Sequence, residues 1–417
     1  MPGGTGFRPR SRWLGFAQHH CPIGTVPPAE AEQQAVVVVG GGFGGLSAAL
    51  QLAADAQSRP VVLIEPQERF LFLPLLYELL SDELRRWEVA PRYAELLAGR
   101  GVVWLQDRVS HINTVERQLS TDSGQQVRYG QLVLATGGKP NTFAIPGVSE
   151  HCLGFRSLDD VDQLKQLVQR LQLRQRPLQR IAIVGAGASG VELACKLADL
   201  LQGAAVVELI EQGEDLLPGS RSFNRDCARE ALLKRDIRLR TGTRVISVEP
   251  TSLNLQRGDE ARPEALSCDG VIWTGGVMGC VPEITPPLAL DPRGRLRCDR
   301  ELRVLGAEHL FAMGDAAVCP DPAGSNHPAT AQVAYQQAAC VAANVRHQQR
   351  DEELDAFNWK DLGEMLGLGI GQATLTGMGI TLAGPTAFQL RRLAYLARMP
   401  GLSHQLRVAG GWLADWF

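Results

Sequence analysis

The sequence lacks several features that mark other classes of protein. No two of its nine cysteines are spaced C-x-x-C, so they form no ligand framework for structural zinc, and their scatter suits a reducing compartment. No long basic run occurs, and 42 Lys and Arg nearly balance 45 Asp and Glu, which argues against nucleic acid as a main partner. The 44 glycines follow no G-X-Y period, which excludes collagen. What remains is a chain of 417 residues, long enough for two or three domains.

Residues 1–34 lack an apolar stretch long enough for a secretory signal, so we do not expect secretion. They carry three arginines and no acid before Glu30, a composition that organelle transit peptides share. We therefore predict a disordered extension at this end, with a transit peptide as the alternative.

The first strong motif is a glycine-rich loop after a short apolar run. Val36–Val39 is typical of a buried parallel strand, and G-x-G-x-x-G follows at Gly40, Gly42 and Gly45. A second apolar run ends in Glu65, 20 residues after Gly45, where a carboxylate binds the hydroxyls of a ribose. Strand, loop, helix and carboxylate together predict a dinucleotide site.

The same pattern recurs in the middle of the chain. A second G-x-G-x-x-G lies at Gly185, Gly187 and Gly190, and the next predicted strand ends in Glu211. Two fingerprints indicate two dinucleotides. Because the Glu211 carboxylate would repel a 2′-phosphate, the second site favours NADH, whereas Arg221 and Arg225 further along leave NADPH open.

Three further glycine turns place FAD in the first site. They are Ala135-Thr136-Gly137, the repeat that contains Gly275, and Gly314-Asp315, each of which ends a predicted strand. Asp315 can accept a hydrogen bond from a ribityl hydroxyl, and its alternative role is a simple helix cap.

The C-terminal part combines an uncharged stretch with a basic one. Residues 365–390 contain no charge, yet their glycines and threonines predict strands and turns rather than a spanning helix. After Pro385 the spacing predicts one helix, then a break at Pro400–Gly401 and a second helix from near Ser403 to Trp412, Leu413, Trp416 and Phe417.

That helical end has four arginines and one aspartate from residue 384 onward, whereas the rest of the chain is net acidic. A basic amphipathic segment with terminal tryptophans is typical of a helix that lies in a membrane interface. The alternative is a helix that docks on its own protein or on a dimer partner.

These residues resemble the two-dinucleotide-binding flavoproteins and, among them, the type II NAD(P)H:quinone oxidoreductases, over residues 35–417. The most specific motif is PATAQVAYQQA at 328–338, which is similar to the family's AQxAxQQ helix. Residues 72–76 (FLPLL) are similar to its flavin-covering segment, and 187–192 (GASGVE) to its nicotinamide-side loop. The C-terminal blocks GIGQATLTGMGITLAGP and RRLAYLARMP are most similar to the cyanobacterial and plastid branch associated with demethylphylloquinone reduction. Bacterial respiratory members often carry a lysine in the glycine motif after the AQxAxQQ helix, whereas Gln372-Ala-Thr stands in that region here, so we expect no lysine on the quinone side.

The resemblance implies the site residues. Its catalytic set would be Glu192 near the hydride-transfer face, with Gln332, Gln336 and Gln337 between the flavin ring and the quinone. No metal is implied. The cofactor-binding residues, taken together with the motifs above, are Gly40, Gly42, Phe43, Gly44, Gly45, Glu65, Val109, Ala135, Thr136, Gly137, Gly185, Gly187, Ser189, Gly190, Glu211, Gly275, Gly314, Asp315 and Ala331.

The implied fold is α/β, with two nested Rossmann-like dinucleotide-binding domains and a C-terminal membrane-associating segment. An FAD domain at 35–147 would be interrupted by an NAD(P)H domain at 148–277 and resumed at 278–345, with the C-terminal region at 346–417. The implied enzyme passes a hydride from NADH or NADPH to FAD and two electrons on to a membrane quinone, without pumping protons. It would be a peripheral membrane protein facing the cytoplasm or stroma, and the family leaves a homodimer open.

Two other functions stay open at this point. Sulfide:quinone oxidoreductases use two separated cysteines near the flavin ring, and Cys152 with Cys319 or Cys340 could imitate them. The other is a flavin-bound NADH sensor, which would bind NADH without turnover.

Overall fold

Two parallel sheets, each followed by a glycine loop and a helix, organise the chain. The computed structural model describes residues 35–55, 59–174, 176–258 and 262–414, so the predictions on residues 1–34, Trp416 and Phe417 lie outside it. The described strands, in chain order, are β1 (Val36–Val39), β2 (Val61–Ile64), β3 (Val102–Leu105), β4 (Val109–Asn113), β5 (Gln118–Thr121), β6 (Gln126–Arg128), β7 (Gln131–Leu134), β8 (Gly138–Pro140), β9 (Cys152–Leu153), β10 (Arg180–Val184), β11 (Val206–Ile210), β12 (Arg238–Arg240), β13 (Thr243–Glu249), β14 (Ser252–Arg257), β15 (Glu264–Ser267), β16 (Gly270–Trp273), β17 (Val277–Gly279), β18 (Glu283–Thr285), β19 (Leu296–Arg297), β20 (Leu310–Ala312), β21 (Ala317–Val318), β22 (Glu364–Gly367), β23 (Ala373–Gly377) and β24 (Ile380–Gly384).

Helices connect these strands and cover both faces of the sheets. Short 3₁₀ turns span Leu73–Leu75 and Gly314–Ala316. The described α-helices are α1 (Phe43–Ala53), α2 (Leu76–Leu80), α3 (Arg86–Val89), α4 (Tyr93–Leu97), α5 (Val148–His151), α6 (Leu158–Arg174), α7 (Ala188–Leu201), α8 (Ser222–Leu233), α9 (Ala331–Gln349), α10 (Pro385–Leu396) and α11 (Leu402–Ala414).

The first sheet has the strand order β20-β7-β1-β2-β3, and all its neighbours are parallel. Every residue of β1, β2 and β7 is buried, as expected for strands covered on both faces. Helix α1 connects β1 to β2, and α9 packs along α1. Strand β20 belongs to this sheet but follows all the strands of the second sheet in the sequence.

The second sheet has the order β12-β11-β10-β16-β9 and is also parallel throughout. All its strands lie between residues 152 and 273, and α7 connects β10 to β11. The antiparallel pair β8–β17 lies where the chain leaves the first sheet and where it returns. The predicted α/β class with two nested Rossmann-like units is confirmed, while the domain boundaries stay predictions.

The C-terminal part is an antiparallel sheet, β22-β23-β24, followed by two helices. Pro385 begins α10, as its fixed φ favours, and α11 begins at Leu402 after the predicted break. The prediction of strands and turns before residue 385 and of helices after it is confirmed. Among the described residues, no helix is both long and apolar enough to cross a membrane.

The C-terminal sheet docks on one face of α7. Glu192 accepts a hydrogen bond from the Gly367 amide at 2.6 Å, and Asp199 accepts one from the Ile370 amide at 2.7 Å. Because Glu192 and Asp199 are seven residues apart on a helix, they lie on the same side of it. The tip of β22 and the turn after it are therefore fixed to the helix that follows the second glycine loop.

Candidate functional site

The first glycine loop has open space beside its middle glycine, Gly42. Gly40 has a φ of +95°, and a Cβ on Gly45 would lie 1.8 Å from the Gly40 carbonyl oxygen, so both positions require glycine. A Cβ on Gly42, by contrast, would meet no described atom within 4 Å. Gly42 caps α1 without a side-chain hydrogen bond, and the first turn contains no acid. The amides at the start of α1 therefore suit a phosphate, as predicted.

Glu65 is held against this loop by both of its oxygens. Oε2 accepts a hydrogen bond from the Gly41 amide at 2.7 Å, and Oε1 accepts one from the Gln67 amide at 2.9 Å. Each carboxylate oxygen keeps a lone pair for a further donor, such as a ribose hydroxyl. The loop and the carboxylate thus fit the two ends of one nucleotide.

The second loop repeats this geometry. Gly185 has a φ of +101°, a Cβ on Gly190 would lie 1.8 Å from the Gly185 carbonyl oxygen, and Gly187 faces open space. Glu211 accepts hydrogen bonds from the amides of Ala186 at 2.7 Å and Gly213 at 2.8 Å. The two sites are therefore alike in their backbone and in the placement of their carboxylate.

Arg221 and Arg225, the two arginines that keep NADPH possible as the donor, are both paired with acidic side chains. Arg221 contacts Asp361 at 2.8 Å, and Arg225 lies 3.5 Å from Asp215. Neither arginine is paired with Glu211. The Glu211 carboxylate therefore stays the group that we predict to distinguish NADH from NADPH.

The predicted flavin side has a buried hydroxyl that lacks a partner. Thr136 Oγ1 is buried and makes no hydrogen bond within the described part of the chain. Asp315, in the 3₁₀ turn after β20, lies 3.6 Å from Arg156 and keeps its side chain 27% exposed. A buried hydroxyl without a partner fits a polar cofactor chain, because buried polar groups are normally satisfied.

The remaining predicted cofactor residues lie around these two loops or in supporting strands. Ala135 follows β7 and is buried, and Val109 is buried at the start of β4. Phe43 and Gly44 lie in the first turn of α1, Ser189 lies in that of α7, Gly275 follows β16, and Ala331 begins α9. Their contacts with a cofactor stay predictions.

The three glutamines of the 328–338 motif have different surroundings. Gln332 accepts hydrogen bonds from Trp359 Nε1 at 3.0 Å and from the Leu362 amide at 3.1 Å. Gln336 exchanges two hydrogen bonds with the Lys360 backbone. Both side chains therefore fix the segment that leads to β22.

Gln337 points into the protein instead of toward the cavity. It is 4% exposed and accepts a hydrogen bond from the Gly314 amide at 2.8 Å. Its observed contact orders the turn that carries Asp315, and its predicted place between flavin and quinone stays a prediction.

A small apolar cavity lies beside the first glycine loop. Its volume is about 140 Å³, and its walls are Phe43, Phe72, Pro74, Ala331, Gln332, Tyr335, Gln336, Leu362, Tyr395 and Arg398. Four of these residues, Phe43, Tyr335, Gln336 and Arg398, also line a larger open groove of about 980 Å³. The groove runs along one face of α1 and α9 and is closed on its other side by residues 397–401. A flat ring in the cavity could therefore extend an apolar tail into the groove.

Glu192 lies on α7, two residues after the second loop ends. Its carboxylate accepts the Gly367 amide and lies 3.4 Å from Arg391 Nη2, while its side chain is 11% exposed. Burial is the main cause that raises the Glu192 pKa, whereas Arg391 opposes the rise. A carboxyl with a raised pKa can hold a proton closer to neutral pH than an exposed one.

The cysteines of the sulfide alternative do not come together as that alternative requires. Cys152 packs with Cys268 in one hydrophobic cluster, whereas Cys319 and Cys340 belong to another, larger one. Burial raises the pKa of Cys152, Cys319 and Cys340 to about 12 in each case. Since the thiolate is the reactive form, none of the three is prepared for electron relay.

The sequence interpretation missed several residues around Glu192. Tyr77, Glu78 and Arg391 are buried beside it, and Tyr395 packs against Arg391. A signal was present, because Glu78 is the one charge in the apolar run LPLLYELL, and a charge in such a run is rarely buried unless it is paired. The sequence analysis counted Arg391 among the basic residues after residue 384 and gave it no partner, whereas its side chain is 1% exposed and bonded to Glu78.

The chain is similar to proteins of one redox family. The family described as pyridine nucleotide-disulphide oxidoreductase matches residues 34–338. Demethylphylloquinone reductase NdbB of Synechocystis sp. is 39% identical over 91% of this chain and 97% of that protein. The alternative NAD(P)H-ubiquinone oxidoreductase C1 of Arabidopsis thaliana, chloroplastic/mitochondrial, is 33% identical over 91% of this chain and 80% of that protein.

The fold has a solved counterpart as well. The structure of NDH2 from Plasmodium falciparum in complex with NADH superposes with a TM-score of 0.81 and covers 90% of this chain and 96% of that one. At 19% sequence identity this likeness shows the shared fold.

Proposed function

The chain belongs to the type II NAD(P)H:quinone oxidoreductases within the pyridine nucleotide-disulphide oxidoreductase family, and we propose that it reduces a lipid quinone with NAD(P)H. The net reaction is NAD(P)H plus quinone plus one proton, giving NAD(P)⁺ and quinol. The observation that carries the proposal is the apolar cavity beside Phe43, which opens into an apolar groove. Bound FAD supplies the hydride acceptor and two-electron donor that amino-acid side chains lack.

The two glycine loops divide the nucleotides between them. The first loop, with Glu65, Thr136 and Asp315 near it, holds FAD, and the second loop, with Glu211, holds NAD(P)H. The amides at the two helix starts would bind the phosphates, and each carboxylate would bind the hydroxyls of a ribose. The nested domains at 35–147, 148–277 and 278–345 follow from this assignment.

Glu192 of α7 and the glutamines of α9 act where the hydride and the electrons are transferred. Glu192 lies on the second-loop side, where its raised pKa lets it hold the proton that the net reaction consumes. Gln332 and Gln336 keep residues 359–363 in place as one wall of the quinone cavity. Apolar walls at Phe72 and Tyr395 exclude water from the ring.

The quinone is a long-tailed naphthoquinone in our proposal, with demethylphylloquinone as the substrate that the Synechocystis relative's name suggests. The groove gives this choice physical support. Its lining includes helix-face residues of α1 and α9 such as Leu46, Leu50 and Ala339, and its volume of about 980 Å³ leaves room for an apolar tail beyond the cavity.

The C-terminal helices bring the groove to a membrane surface. Leu402, Leu406 and Leu413 of α11 and Leu393 of α10 are each more than half exposed. Exposed leucines beside arginines suit a helix that lies in the interface, with its basic groups among lipid headgroups. We place the protein on the cytoplasmic or stromal face, as a peripheral protein, and extend the family's homodimer to it.

Steady-state turnover tests the proposal. The purified flavoprotein should oxidise NADH when a demethylated naphthoquinone is supplied, and more slowly with plastoquinone or ubiquinone analogues. A yellow protein that binds NADH without turnover would favour the sensor alternative. Turnover with sulfide, lost in Cys152→Ser and without NADH oxidation, would favour the sulfide alternative, which the separated cysteines already disfavour.

A further inference from the structure

One arginine of α10 is buried where three parts of the chain meet. The Arg391 side chain is 1% exposed, although Leu390 before it is 37% exposed. A guanidinium removed from water needs anionic and carbonyl partners from the protein to offset its lost hydration. Arg391 therefore turns inward from a helix whose other side is open.

Each end of this guanidinium meets a different segment. Nη1 donates to the Glu78 carboxylate on α2, and Nη2 donates to the Pro74 carbonyl oxygen at 2.9 Å. Nη2 also lies 3.4 Å from Glu192 Oε1 on α7. The guanidinium carbon lies 4.9 Å from the centre of the Tyr395 ring. One side chain thus joins the segment before α2, the helix after the second loop, and α10.

Arg391 also lies directly behind the apolar cavity. Pro74 and Tyr395, both of which it contacts, are wall residues of that cavity. Glu192 is on the other side of the guanidinium, toward the second loop. The cation is therefore shared between the cavity wall and the carboxylate that lies on the nucleotide side.

Two buried carboxylates share this single cation. Glu78 is 2% exposed, Glu192 is 11% exposed, and the Arg391 guanidinium faces both. The raised pKa of Glu192 has burial as its first cause; the guanidinium and the Gly367 amide oppose it, and Glu78 adds to it. The titratable and charged groups that face Glu192 are Arg391 and Tyr395 from α10, Tyr77 and Glu78 from α2, and Cys195 from its own helix.

We propose that Arg391 is a positioning residue for Glu192: it holds the carboxylate against the C-terminal sheet and lowers the pH at which this buried group releases its proton. Glu78 competes for the same cation, so the ionisation of Glu192 depends on how the guanidinium is shared. The inference deepens the proposed function and rests on it, because it gives α10 a role at the nucleotide side as well as at the membrane.

Infrared titration of the flavin-loaded protein tests this directly. Glu78→Gln leaves Glu192 as the one carboxyl beside Arg391, and Glu78→Gln with Arg391→Gln leaves it without the cation. The band of the protonated Glu192 carboxyl is identified by its loss when Glu192→Gln is added. We expect Glu192 to release its proton about one to three pH units higher without Arg391, the usual effect of a neighbouring opposite charge. Release at the same pH in both proteins would overturn the proposal.

A second comparison has the opposite sign. Glu78→Gln should release the Glu192 proton at a lower pH than the wild-type protein does, because Arg391 then interacts with the Glu192 carboxylate alone. Arg391→Lys in the Glu78→Gln background keeps the positive charge, so Glu192 should titrate at nearly the same pH as in Glu78→Gln alone. This variant keeps the proposal testable if Arg391→Gln folds poorly. If Arg391 were only a structural contact, the lysine variant would titrate like the glutamine variant, and the proposal would be wrong.

The matched control is Arg407→Gln, which removes an arginine of α11 whose partner is the half-exposed Glu95. It should leave the infrared titration unchanged. In turnover assays the pH profile of kcat should move in the same direction as the infrared titration in each variant. A protein that shows the infrared shift but never reduces a quinone would keep the role of Arg391 and refute the proposed function.

Discussion

In the proposed NAD(P)H site, Glu211 is the residue that we expect to distinguish NADH from NADPH. Both its oxygens are fixed by backbone amides, those of Ala186 and Gly213, so the carboxylate cannot swing away from a ribose. A 2′-phosphate placed there would meet a fixed negative charge. The adjacent Gln212 is exposed and has room for a longer side chain.

We predict that Glu211→Ala combined with Gln212→Arg raises the ratio of kcat/KM for NADPH to that for NADH by about tenfold or more, since repulsion is removed and a guanidinium–phosphate contact is gained. The measurement is initial rate with each donor at fixed quinone. Glu211→Gln, which keeps an acceptor for the Ala186 amide, separates charge from loop damage. An unchanged ratio in the double variant would mean that selectivity is set by other residues.

Residues whose role is local could be predicted, whereas those that act across the chain could not. Gly40 and Gly45 follow from the steric demands of one turn, which the spacing of the motif displays. The Arg391–Glu78 pair joins residues 313 positions apart, and no local pattern indicates that partner. The sequence therefore predicted the backbone of both glycine loops but missed the buried charges around Glu192.

At the scale of single elements, α11 is tied to the rest of the protein by a buried histidine. His404 is 5% exposed, and its Nε2 lies 3.0 Å from the Glu88 carbonyl oxygen. Its Nδ1 is buried without a partner in the described residues. This arrangement suits the neutral ring, and burial is the main cause that lowers the His404 pKa.

A lowered folded-state pKa makes the docking of α11 sensitive to acid. The unfolded chain has a histidine pKa of about 6.5, so the stability that His404 contributes is complete above that pH and is lost as the pH falls through the lower folded value. We predict that His404→Gln, whose amide can still donate to Glu88, flattens the fall in thermal midpoint between about pH 6.5 and pH 5.

Differential scanning calorimetry at several pH values checks this expectation. His151→Gln is the control, since His151 is exposed and its loss should leave the slope unchanged. An equal slope in wild type and His404→Gln would place the acid sensitivity elsewhere.

Element types were easier to predict than the pairing of the small sheets. The apolar runs before each glycine loop and the uncharged, glycine-rich stretch at 365–384 show their structure locally. The sheet β18-β4-β5-β6, by contrast, joins residues 109–128 to 283–285, and that contact depends on how the two larger sheets are placed. Loop-closing contacts of this kind leave no periodic signal in either segment.

At the scale of the whole molecule, the exposed leucines of α10 and α11 mark the surface that we propose faces a bilayer. Removing residues 385–417 would also remove Arg391 and so disturb the site, which makes point changes the better test. Leu402 and Leu406 lie one turn apart on α11 and are about two-thirds exposed.

We predict that Leu402→Gln with Leu406→Gln lowers binding to anionic phospholipid vesicles by about tenfold or more, since each buried leucine contributes about 1.5–3 kcal/mol. Sedimentation with vesicles measures the bound fraction, and flavin content shows that the fold is kept. Leu173→Gln with Leu233→Gln changes two leucines on α6 and α8 that are even more exposed, at 84% and 76%, and should bind as the wild type does. Equal loss in both double variants would contradict a specific membrane face.

The strand order also fixes the sequence of events during synthesis. Every strand of the second sheet has left the ribosome once residue 273 has emerged, whereas the first sheet still lacks β20 and the covering helix α9. The inserted unit can therefore fold while the unit that surrounds it is incomplete. On the proposed assignment of the two loops, a nascent chain therefore completes the sheet of its NAD(P)H site before the sheet of its FAD site.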